Sequence, residues 1–98
     1  MFLVLLKYLK PLDVIEQYVG VHREHLSRYY QSGELICSGP QVPREGGVIL
    51  SKQKSKDQVI KMMSVDPFIT EGVANYEIIE FTPVKYHENF APLCSTEA

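Results

Sequence analysis

Cysteine is scarce in this chain: Cys37 and Cys94 are the two present among 98 residues, far apart and without a Cys-x-x-Cys pair. A disulfide framework is therefore no organising principle, and the expectation is a reduced, cytoplasmic chain with free thiols. An excess of positive charge is missing too. Ten Lys and Arg stand against twelve Asp and Glu, a formal charge of −2, so no long-range basic field draws in nucleic acid or anionic lipid. Long apolar runs are also lacking. Met1 to Leu6 is apolar but Lys7 ends it, far short of the ~20 residues of a membrane span and without the basic leader of a secretory signal. No repeat, linker, phosphate-binding loop, dinucleotide fingerprint or metal-ligand cluster is found, and the expectation is a protein with no cofactor and no metal.

What is present reads as a small domain over residues 1–85 with a C-terminal tail, 86–98. Phe2 to Tyr8 alternates as a strand, and Lys10-Pro11 ends it. Apolar positions then recur at helical intervals through Leu12, Ile15, Val19, Leu26 and Tyr29, and Gly33 supplies a stop. Glu34 to Ser38 reads as a second strand closed by Gly39-Pro40, and Val48 to Lys52 as a third. Ser55 followed by Gln58 forms a capping-box pattern that opens a helix through Met63. Asp66-Pro67 looks like the cap and first residue of one more short turn, and Asn75 to Thr82 like the last strand. The tail shows no period and is expected to be loosely attached.

The order β-α-β-β-α-β predicts an α+β, ferredoxin-like fold with an antiparallel sheet. Both helices then cover one sheet face. The other face is not polar, because neither the first strand nor the last has a polar side: Leu3 and Leu5 lie opposite Phe2, Val4 and Leu6 in the first, and Ile79 and Phe81 opposite Tyr76 and Ile78 in the last. A solvated face alternates with polar residues, so this one is expected to be covered by a second copy of the chain, giving a homodimer through the sheet faces.

The chemistry centres on His22, which continues the apolar stripe of the first helix and so points at the sheet. The position suits a core histidine satisfied by one hydrogen bond, and it also admits a general acid or base whose charge changes near neutral pH. His25 lies toward the edge of the same face; the pair lacks the third ligand that zinc requires, and His87 sits in the tail. Asp66 suits a helix cap, and its second oxygen leaves it able to hold an imidazole. Ser38, Gly39 and Pro40 close a strand where a ligand can approach the backbone. Arg44, on the loop before Gly46-Gly47, is either a solvated residue or the cation that receives an anionic group. Cys37 alternates onto the face of Leu35 and reads as core.

From Phe2 to Lys85 the chain resembles the YciI-like (YCII-related) family of the dimeric α+β barrel superfamily. The matching features are the helical His22, Ser38-Gly39-Pro40, the Pro43-Arg44-Glu45-Gly46-Gly47 loop, Asp66-Pro67-Phe68 and the closing Glu80-Phe81-Thr82-Pro83. The resemblance implies a ferredoxin-like dimer with a pocket in which His22 and Asp66 form an acid/base pair, with Ser38, Gly39, Pro40, Arg44 and Phe68 around the substrate. Many members carry an arginine three residues before the histidine; Val19 stands there in this chain, leaving Arg23 or Arg44 to substitute. The implied activity is isomerase- or lyase-like chemistry on a small, ring-derived molecule. The other reading is a regulatory module that binds a small molecule without transforming it.

Overall fold

The computed structural model describes residues 1–94. Its sheet has four strands, β1 (Phe2–Tyr8), β2 (Leu35–Pro40), β3 (Gly46–Ser51) and β4 (Ala74–Glu80), all antiparallel to their neighbours in the order β2-β3-β1-β4. This is the ferredoxin-like arrangement read from the sequence. One face carries Phe2, Val4 and Leu6 of β1 and Ile49 of β3 into the core, all of them buried. Four helices cover that face: α1 (Leu12–Glu16), α2 (Val19–Gln31), α3 (Lys56–Ser64) and α4 (Pro67–Thr70). They contribute Ile15, Leu26, Val59, Met62, Met63 and Phe68 to the same core.

The first helix is two helices, a correction to the continuous stripe expected from Leu12 to Tyr29. α1 ends at Glu16 with Gln17 as its C-cap, and Tyr18 takes φ −112° and ψ 0° before α2 begins. The segment is rich in β-branched residues and holds Gly20, so local propensity does little to carry a helix across the joint. Ile15 stays fully buried, whereas Leu12 is exposed.

Gly46 and Gly47 belong to β3 and not to the loop before it. Gly46 pairs with Lys7, and a Cβ at this position would stand 1.9 Å from the Leu6 carbonyl oxygen. Only glycine allows the two backbones to come this close.

Cys37 also departs from expectation. The register of β2 against β3 shifts between Leu35 and Cys37, and the irregularity turns the thiol onto the face away from the helices, where it is exposed. Ser38 and Pro40, paired with Ile49 and Gly47, consequently face the helices.

The tail is better anchored than its lack of period suggested. Glu88–Leu93 forms a 3-10 helix whose first turn His87 caps by accepting from the Asn89 amide at 3.0 Å, and Cys94 is buried. Residues 95–98 of the expected tail lie outside the described residues. Among the described residues no helix is long and apolar enough to cross a membrane.

Candidate active site

Between α2, α4 and the strands β1, β2 and β3 lies a cavity of about 310 Å³, at the lower end of the range typical of small-molecule sites. Every pocket residue named from the sequence lines it: His22, Ser38, Gly39, Pro40, Arg44 and Phe68. Asp66 stands behind His22 as its support.

The pair is built from short-range rules. Asp66 precedes Pro67 in an extended conformation, φ −71° and ψ 131°, and caps α4 by accepting from the Phe68 amide at 2.9 Å. The same carboxylate faces the imidazole: His22 Nδ1 lies 2.9 Å from Oδ1 and 2.8 Å from Oδ2. Asp66 is fully buried and the His22 side chain is 12% exposed. A buried carboxylate needs partners, and this one has both a backbone amide and an imidazole N–H. With Nδ1–H donating to Asp66, Nε2 carries the lone pair, and it has no hydrogen-bond partner among the described residues. Phe68 stacks on the imidazole at 4.0 Å with planes 5° apart, and Tyr8 meets Phe68 edge-on at 6.1 Å. The ring is thus fixed in its plane by an aromatic face and in its rotation by a carboxylate.

His25 goes elsewhere. Its Nε2–H donates to the Met62 carbonyl at 2.8 Å and its ring packs edge-on against Tyr29, tying α2 to α3. The two helical histidines therefore do not converge on a common ligand, and among the described residues no group of three metal-ligating side chains exists.

The remaining walls are polar at one end and apolar at the other. Tyr30 donates its hydroxyl to Ser38 Oγ, which leaves the Ser38 O–H to turn toward the cavity. Burial pushes the Tyr30 phenol above its usual pKa and keeps it protonated. Arg44 is not merely solvated. Its Nη2 donates to Glu16 of α1 at 2.6 Å, and the Tyr8 phenol, then Glu16, hold its pKa further up. Leu6, Val19, Leu26 and Ile49 supply the apolar surface.

Sequence reasoning missed Tyr8 as a lining residue, although its alternation with Phe2, Val4 and Leu6 already placed it on the helix-facing side. It also missed Tyr30 and Glu16, which act on Ser38 and Arg44 from distant positions that no local pattern connects.

Comparison with known proteins places the chain. The YCII-related domain family matches residues 1–82. The chain belongs to the YCII-related family. Among solved structures, the 5-chloro-2-hydroxyhydroquinone dehydrochlorinase TftG of Burkholderia phenoliruptrix AC1100, in complex with 2,5-dihydroxybenzoquinone, superposes with a TM-score of 0.69 at 17% identity. The match covers 91% of this chain and 98% of that one. At that identity the likeness is one of fold, an α+β arrangement of a four-stranded antiparallel sheet with helices on one face. No curated protein matches the chain in sequence.

Proposed function

We propose that this YCII-related protein is a small enzyme that moves protons on a small, ring-derived molecule without a cofactor. His22 Nε2 is the acid/base and Asp66 positions it. The observation that carries the reading is the fully buried Asp66 carboxylate within hydrogen-bond reach of His22 Nδ1, with the opposite ring nitrogen left for the cavity. When Nε2 takes a proton from a substrate carbon or hydroxyl, the imidazolium that forms sits against a carboxylate already in place, so little reorganisation is needed. The same nitrogen returns the proton at another atom in an isomerisation, or to a departing group in an elimination. Ser38 and Arg44 orient the substrate's oxygens, Gly39 and Pro40 give its edge access to the backbone, and Phe68 supports the imidazole. A structural neighbour crystallised with a small quinone is consistent with a substrate of this size. The reading extends to a homodimer of the 1–85 domain closed through its open sheet faces.

The test is exchange of substrate C–H protons with solvent deuterium, followed by NMR over a panel of small cyclic enols, quinols and keto acids. The wild type should catalyse exchange, and His22→Gln should lower the rate by about 10²-fold or more while the fold persists. Equal rates in the two proteins would remove the assignment. Binding by the wild type with no exchange and no product would favour the regulatory-module reading.

A further inference from the structure

Among the described residues, two cations line the cavity and no carboxylate does: Arg23 and Arg44 are among its walls, and neither Asp nor Glu is. Behind the walls stand two carboxylates, Glu16 on Arg44 and Asp66 on His22, which leaves Arg23 as the lining cation with no acidic partner among the described residues. The two arginines are not equivalent. Arg44 is already paired through Nη2 with Glu16 at 2.6 Å and lies against Tyr8, although its buried Nε has no partner among the described residues. Arg23, exposed on α2 immediately after His22, has its carbonyl engaged by Ser27, while its guanidinium has no ion-pair or hydrogen-bond partner among the described residues. An exposed, unpaired guanidinium, apolar walls at Leu26, Ile49 and Phe68, and a largely buried imidazole describe a molecule with one charged end and an apolar body.

We propose that the cavity selects small carboxylates with an apolar body, and that Arg23 is the specificity residue that reads the carboxylate. The planar fork of a guanidinium matches two carboxylate oxygens, and the free Ser38 hydroxyl stands on the same cavity wall system to donate a further bond. A phosphate would want more converging donors than this. The proposal rests on the cavity being a small-molecule site, and not on His22 acting as a base.

The probes are benzoate and its neutral isostere benzamide, titrated into the full-length protein at about 50 mM salt, where surface charge is lightly screened. The wild type should prefer benzoate by about tenfold, the scale of one charge-assisted hydrogen bond. Arg23→Gln should abolish that preference by weakening benzoate far more than benzamide, and Arg23→Lys should restore part of it. Arg23 is exposed, so the variants should keep the wild-type circular dichroism spectrum. His22→Gln should retain the benzoate preference, which separates this proposal from the catalytic one, judged by exchange rate alone. A wild type that binds neither probe or both equally, or an Arg23→Gln protein that still prefers benzoate, would overturn the proposal. Loss of the preference in His22→Gln would put the anion on the imidazole and overturn it too.

Discussion

Asp66 performs two tasks with one carboxylate, capping α4 through the Phe68 amide and holding the His22 imidazole. The sequence allowed both roles at once, since a carboxylate has two oxygens, and the geometry brings both partners to it. Their separation is measurable because asparagine keeps an oxygen for the cap but loses the charge that supports an imidazolium. Asp66→Asn should therefore lower proton-exchange activity by about 10–10³-fold, with a melting temperature only a few degrees below wild type. Full activity in this variant would reduce Asp66 to a helix cap. At this scale the candidate site was largely legible. His22 was found by extending an apolar stripe, and Asp66 by the chemistry of the residue before a proline. Tyr30 and Glu16 were not, because their partners Ser38 and Arg44 meet them only through tertiary packing.

Elements were legible where a local signal closes them. Ser55 caps α3 by accepting from the Gln58 amide at 3.2 Å, as the capping-box pattern implied. The Gln58 side chain, however, reaches back to the Lys54 amide and not to that of Ser55. The joint between α1 and α2 was hidden because a 3.6-residue period continues across a break when both halves pack on one sheet. The irregularity in β2 was hidden for a related reason: alternation assumes an unbroken register, and one displaced residue reverses the faces of all that follow. That displacement exposes Cys37 and turns Ser38 toward the helices. β3 supplies the prediction at this scale. Because a Cβ on Gly46 would meet the Leu6 carbonyl at 1.9 Å, Gly46→Ala must part β1 from β3 at that point. It should cost about 1–3 kcal/mol or more in urea unfolding. Gly39→Ala, with open space around the added methyl, is the control and should cost much less.

For the molecule as a whole, the face opposite the helices is the surface through which the proposed homodimer would close. Leu3, Leu5, Val48 and Leu50 are only partly buried there, and Ile79 is exposed. These residues form a contiguous apolar surface, because β1 registers Leu3 with Leu50 and Ile79, and Leu5 with Val48. Leu5→Glu should halve the mass seen by light scattering, from a dimer to a monomer, with the helix-side core intact. An unchanged mass, or a wild type that is monomeric, would show that the face is closed in some other way. The antiparallel alternation that exposes this surface was readable from β1 alone. One further consequence follows from the shared carboxylate at Asp66. The Phe68 amide is a reporter placed on the same anion as the imidazole, so whatever occupies the cavity and tightens the imidazole against Asp66 also holds the first turn of α4 closed. Its hydrogen–deuterium exchange should slow when ligand binds, more than that of the Gln58 amide at the start of α3, and in Asp66→Asn the two amides should respond alike.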